Sequence, residues 1–252
     1  NQALIEAYQS TNEEIKSKGN IVPAAEWLLD NYYILEEQYK EILYNLKKDF
    51  NRNLPIISKG KYKGYSRVYA IAADMVEGLD SDIEEDTIIE FLEGYQKHSP
   101  LTCKELWAFP IMLRICLLER IKDIAVYISD AISMRKQADY WAEKLSDSLK
   151  KSRDDSSNTD EFKKVILEHD SKVGTIKPAY AEKLLHRLME EGADAAPIIR
   201  WVDGKLAVLN TDADEIVHRA HQEQAQNQNS IGNAVTSLRI IIGLNWEEIF
   251  EK

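Results

Sequence analysis

Acidic pairs and histidine pairs are the groups in this chain whose spacing could do chemistry. Asp80-Ser81-Asp82 and Asp212-Ala213-Asp214 each set two carboxylates one residue apart, a spelling that can hold a divalent cation. The first lies in a stretch from Glu77 to Glu93 with eight acids and no base, which reads as a solvated face. The second opens a helical pattern, where Asp is a capping residue. His218 and His221, three apart on a helix, need a third ligand to bind a metal, and neither a His nor a Cys is linked to them by spacing. There is no phosphate-cradling glycine loop and no nucleophile elbow. Two facing carboxylates could still hydrolyse or transfer a glycoside, but 43 Asp and Glu make any single pair uninformative. No catalytic residue, cofactor or metal site is assigned.

Polar residues inside apolar stretches are a second kind of candidate. EWLLDNYYILEEQYKEI (26–42) is amphipathic: Leu28, Tyr32, Leu35, Tyr39, Ile42 and Leu46 fall on one stripe at helical spacing. Glu26, Asp30, Glu37 and Glu41 fall almost opposite and form an outer face. Asn31, Glu36 and Gln38 fall between, where neighbouring apolar residues predict burial. A buried carboxylate without a partner costs several kcal/mol or takes up a proton, on the order of magnitude known for buried charge. In LTCKELWAFPIMLRICLLERI (101–121), Arg114 stands on an otherwise apolar side. A buried guanidinium calls for a carboxylate from another element. Glu36 is the first candidate, although Lys40 four residues on offers Glu36 a local partner. Asn31, Glu36, Gln38 and Arg114 are therefore the candidate buried polar or ligand contacts.

These residues must be carried by helices. Ten Gly and six Pro in 252 residues are few for a many-turned β protein, and no strand pattern or internal repeat is evident. The expected fold is all-α, a multi-helix bundle or array with no significant sheet. Helices are expected over 1–18, 23–48, 65–79 and from about 103 to 150, the last opened by a Thr102/Glu105 capping box and broken or kinked at Pro110. Shorter ones follow, with breaks near Gly174, Gly192, Gly204 and Asn229. The polar stretch SRDDSSNTDE (152–161) predicts a linker between an N-terminal bundle (1–151) and C-terminal helices (162–252) that can pack on it as one domain. The net charge of −11 disfavours nucleic acid and anionic lipid as partners. The apolar runs are too short to insert in a membrane. Cys103 and Cys116, 13 residues apart on one helix, are too distant for a disulfide and suit a reducing compartment. The chain begins at Asn1 and reads as part of something longer.

Five stretches carry a resemblance: EWLLDNYYILEEQYKEI (26–42), YSRVYAIAADMV (65–76), LTCKELWAFPIMLRICLLE (101–119), APIIRWVDGKL (196–206) and SIGNAVTSLRIIIGLNWEEIFE (230–251). In order, and over nearly the whole chain, they resemble the N-terminal region of cyclic β-1,2-glucan synthases. The resemblance implies a parent that is a very large protein of the bacterial inner membrane. Such a parent polymerises glucose from UDP-glucose and cyclises the chain by transglycosylation. The region resembled precedes the membrane-embedded transferase and lies on the cytoplasmic side. It implies a non-catalytic helical domain for assembly, regulation or glycan contact, with the remaining domains of the synthase, and glucan, as expected partners. Pro197-Ile198-Ile199-Arg200-Trp201 approaches the Gln-x-x-Arg-Trp box of processive synthases, but Pro stands where Gln is required. The competing expectation is a helical glycan-processing domain, transglycosylase or glycoside hydrolase-like, using paired carboxylates. Ile240, Trp246 and Phe250 on the last helix are the candidate interdomain surface.

Overall fold

The computed structural model describes residues 5–6, 8–9, 12, 23–46, 54–154 and 159–251. Of the expected helix over 1–18 only residues 5–6, 8–9 and 12 are described, all of them helical, and part of the 152–161 linker lies outside the described residues. Among the described residues the chain is all-α, with nine α-helices and no strand. They are α1 (Pro23–Asn45), α2 (Arg67–Gly78), α3 (Glu85–Gln96), α4 (Cys103–Asp154), α5 (Thr159–Val173), α6 (Pro178–Glu190), α7 (Ala196–Val208), α8 (Ala213–Gly243) and α9 (Trp246–Glu251). A short 3₁₀ turn, Gly192–Ala195, joins α6 to α7.

Two compact units emerge: residues 1–128 with 226–252, and residues 129–225. The divisions fall inside α4 and α8, and both helices run on through them without interruption. The first unit buries Leu28 and Leu35 of α1, Val68, Ile71 and Met75 of α2, Phe109, Leu113 and Leu117 of α4, and Ile231, Val235 and Leu238 of α8. The second is built on Trp141, Leu145, Tyr180, Leu184, Leu188, Ile198, Val202 and Leu206. Each large side chain so buried contributes roughly 1.5–3 kcal/mol against the ordering of its helix.

Two expected breaks, at Gly204 and Asn229, are corrected, and α4 is not broken at Pro110. Pro110 lies in the second turn of α4, which continues to 154. Its ring removes the i→i−4 bond to Leu106 O, a loss that the buried Phe109, Met112 and Leu113 around it offset. Gly204 sits inside α7, and Asn229 inside α8. The flanking residues Val202 and Leu206, and Ile231, are fully buried, so packing overrides weak local propensity. The breaks at Gly174 and Gly192 are present, and a further one falls between α8 and α9.

The segment before α2 is a pinned turn. Ile56 bridges Ser66 in antiparallel fashion, Ile57 donates its N–H to Tyr65 O at 2.9 Å, and Gly64 to Ile57 O at 2.9 Å. Gly60 and Gly64 take φ of 88° and 91°, which only glycine adopts without strain. Ser66 caps α2 by accepting from the Tyr69 N–H. This brings Tyr62 and Tyr65 against Tyr69 in the first turn of α2, and Lys61 to Glu77 near its end.

Candidate functional site

The polar residues of α1 are the first test of the sequence reading. Asn31 (5% exposed), Gln38 (4%) and Arg114 (8%) are buried. Asn31 donates to Trp27 O at 2.8 Å and accepts from Arg239 Nη2 at 2.6 Å. Gln38 donates to Glu41 Oε2 at 3.3 Å. Arg114 meets a carboxylate from α1, but that carboxylate is Glu41, at 2.8 Å, and not Glu36. Glu36 is exposed and pairs with Lys40 at 2.8 Å. The reason is angular. At about 100° per residue, Asn31 and Gln38 flank the core stripe on one side and Glu36 on the other. The buried arc extends toward Asn31 and Gln38 only. Glu41 lies at the far edge of that arc, about 140° around the helix from Glu36, where Arg114 arrives. An acid assigned to the outer face is therefore the partner, half out in water.

Of the candidate interdomain residues, Ile240, Trp246 and Phe250 are each half-buried. Phe250 meets Trp107 edge-on at 5.6 Å, and Trp246 meets Phe109 likewise at 6.4 Å. Trp107 is 56% and Ile242 44% exposed beside them. The last helix is thus docked on α4 and leaves an apolar margin.

A polar concavity of the first unit lies elsewhere. A groove of about 640 Å³ is lined by Tyr62, Tyr69, Glu77, Asp80, Glu119 and Arg120, with Asp123 at its edge. Its tyrosines form a cluster: Tyr65 stacks on Tyr69 at 4.7 Å between centroids, and Tyr62 meets Tyr69 edge-on at 6.1 Å. Tyr69 Oη donates to Glu119 Oε2 at 2.7 Å. Burial and that carboxylate push the Tyr69 phenol well up, so it remains a proton donor. Lys61 bonds Glu77 and holds it below the usual carboxylate range.

Asp80 is the best-fixed acid in the groove. It and Ser81 occupy the left-handed region, φ 45° and 64°, an uncommon and strained choice outside glycine. Contacts from α8 hold them there. Ser230 donates to Asp80 Oδ1 at 2.7 Å, and Asn233 to Asp80 O at 3.3 Å. Ser237 donates to Ser81 O at 2.7 Å and accepts the Ile83 N–H at 2.8 Å. Arg120 adds a contact to Asp80 at 3.5 Å. Residues 230, 233 and 237 share one face of α8 by helical spacing, beside the buried Ile231, Ala234 and Leu238. Sequence reading placed Asp80 and Asp82 only in a solvated run. The signal it passed over was the small polar stripe of SIGNAVTS.

Supporting this wall, the Thr102/Glu105 capping box forms as expected. Thr102 N donates to Glu105 Oε2 at 2.9 Å and Glu105 N to Thr102 Oγ1 at 3.3 Å. Arg67, at the first turn of α2, grips the same carboxylate at 2.8 and 2.6 Å. Burial pushes Glu105 up, yet the Arg67 and Thr102 bonds outweigh it and hold the acid below its ordinary range.

The second unit has one buried titratable centre. His169, 1% exposed, lies between Trp141 and Trp201, its Nε2 2.8 Å from Tyr180 Oη. Its Nδ1 is 3.4 Å from Asp170, which Lys205 pairs at 2.5 Å. Burial holds the imidazole below the ordinary histidine range, against the pull of Asp170. The arrangement is that of a satisfied core histidine. Among the described residues no group of three or more His, Cys, Asp or Glu could hold a metal ion, and no helix is long and apolar enough to cross a membrane.

No family model matches the chain. It is similar to a segment of the cyclic beta-(1,2)-glucan synthase NdvB of Rhizobium meliloti (strain 1021), with 27% identity over 248 residues. The match covers 98% of this chain and 8% of that protein, so the chain spans less than a tenth of its relative's length.

Proposed function

We propose that this chain is a non-catalytic helical domain of a larger cyclic β-1,2-glucan synthase, lying on the cytoplasmic face of the inner membrane beside the synthase's other domains. It serves assembly of the parent and contact with its glucan. The single observation that carries the reading is a likeness to one such synthase that runs through 98% of the chain. The groove chemistry supports the non-catalytic part. A glycosidase acid needs a carboxyl whose pKa is raised so that it carries a proton at neutral pH. Here Glu77 is displaced the opposite way by Lys61, Asp80 is paired with Arg120 and Ser230, and Glu119 is engaged by Tyr69. The exposed Trp107, in contact with Phe250, which in turn meets Trp246, is the surface we assign to a neighbouring domain.

The test is incubation of the isolated chain with linear β-1,2-glucan and, separately, with UDP-glucose, followed by chromatography of the products. Neither substrate should change. Cyclised or shortened glucan would establish the competing glycan-processing reading. In the parent, a Trp107→Glu/Phe250→Glu double substitution should lower the yield of assembled synthase.

A further inference from the structure

We propose that the groove walled by Tyr62, Tyr69, Asp80, Glu119 and Arg120 is a binding site for a neutral oligosaccharide and excludes sugar nucleotides. The inference rests on the reading above and names the site of the glucan contact and the ligand class it rejects, which that reading leaves open.

Three observations carry it. The first is shape and size. About 640 Å³ lies within the roughly 300–1,000 Å³ of small-molecule sites and has room for several sugar rings. The second is the aromatic wall. Tyr65 is 52% exposed yet stacked on Tyr69, and Tyr62 stands edge-on beside them. Of these, Tyr62 and Tyr69 line the groove, with Tyr65 backing Tyr69, and such part-exposed rings offer apolar surface to the C–H side of a pyranose. Ala73 and Val76 continue the apolar surface beneath.

The third is the balance of charge. Glu77, Asp80, Glu119 and Asp123 line the groove; Arg120 is the cation among the lining residues and Lys61 pairs with Glu77, which leaves a surplus of two carboxylates. Carboxylates accept hydrogen bonds from sugar hydroxyls, and Arg120 can donate to a ring or hydroxyl oxygen. A nucleotide diphosphate would bring its own negative charge into that surplus and find no backbone amide cradle, so it is repelled. Asp80 is also prefixed. Its left-handed backbone is locked by Ser230 and Asn233, so little ordering is left for a ligand to impose on it.

Calorimetric titration of the intact chain decides the matter, using linear β-1,2-gluco-oligosaccharides of about six residues, a β-1,4 chain of equal length, and UDP-glucose. The β-1,2 chain should bind, and UDP-glucose should neither bind the groove nor displace it. Tyr62→Ala and Asp80→Asn should each weaken binding about tenfold. Asn tolerates the left-handed region, so the second variant keeps its fold, which far-UV circular dichroism checks. Variants that bind like wild type, or UDP-glucose competing for the groove, overturn the proposal. So does absence of glucan binding, although the domain reading then stands on the turnover and assembly tests. Binding of the β-1,4 chain alone would support an oligosaccharide groove while sinking the glucan-synthase reading.

Discussion

Arg67→Ala should unsettle the first unit more than any exposed ion pair, and in a pH-dependent way. Glu105 is fully buried and receives Arg67 at 2.8 and 2.6 Å and Thr102 N and Oγ1 at 2.9 Å each. Arg67 also donates to Ser99 Oγ at 2.9 Å and Pro100 O at 3.1 Å. Removing one partner of a buried pair costs about 3–5 kcal/mol because the other charge is stranded. Here Thr102 still supplies two bonds, and the Arg67 side chain is 25% exposed, so water reaches its place. The low end, about 3 kcal/mol at pH 7, is the expected loss. In the native chain the folded pKa of Glu105 lies below the ordinary 4.5. Its stabilisation is therefore present above 4.5 and lost as pH falls through the lower folded value. Without Arg67, burial dominates and the folded pKa rises above 4.5, so acid relieves the variant. The gap between the two proteins should narrow as pH drops from 7 toward 4. Adding Glu105→Gln to Arg67→Ala should recover part of the loss. Hydrogen exchange in urea, read on peptides 67–78 and 103–113, confines the measurement to this unit. A loss under about 0.5 kcal/mol, a gap constant with pH, or no recovery in the double variant would refute the electrostatic account.

Glu36→Ala should change stability by less than about 0.5 kcal/mol, whereas Glu41→Ala should cost about 1–2 by stranding Arg114; urea titrations of the two variants side by side decide it. Ser237→Ala removes the hydroxyl bonded to Ser81 O and Ile83 N; it should cost about 2 kcal/mol and speed exchange of the Ile83 amide, and unchanged exchange would count against the clamp. His169 is buried neutral with a depressed pKa, so its contribution is full above the unfolded value of 6.5 and is lost as pH falls through the folded one. His169→Gln should flatten the stability profile below pH 6.5, and an unaltered slope would assign the acid limb to other groups.

Local signals were legible and distant ones were not. The Thr102/Glu105 box needs only a three-residue spacing and could be read directly. That Arg67 joins it, 38 residues away, depends on how α2 docks, which no local pattern encodes. Likewise the outer face of α1 was readable from its angles, but the choice of Glu41 over Glu36 turns on which flank a second helix covers. Asn229 and Gly204 looked like helix ends because propensity was judged without the packing that overrides it. The groove was the least readable feature. Asp80 belongs to an acidic run in sequence and acquires its setting from Ser230, 150 positions on.

The clamp from α8 has a consequence for how this sequence can drift. Two of its bonds, Ser237 to Ser81 O and to the Ile83 N–H, end on main-chain atoms, and a third, from Asn233, ends on Asp80 O. Main-chain atoms are the same whatever residue carries them. The anchoring bonds therefore survive a change of side chain at 82, while the helix that reads the turn has little freedom at 237. At 81 the turn carries a constraint of its own, because the residue there is fully buried and left-handed, so this corner of the molecule is written on both the reader and the text it reads.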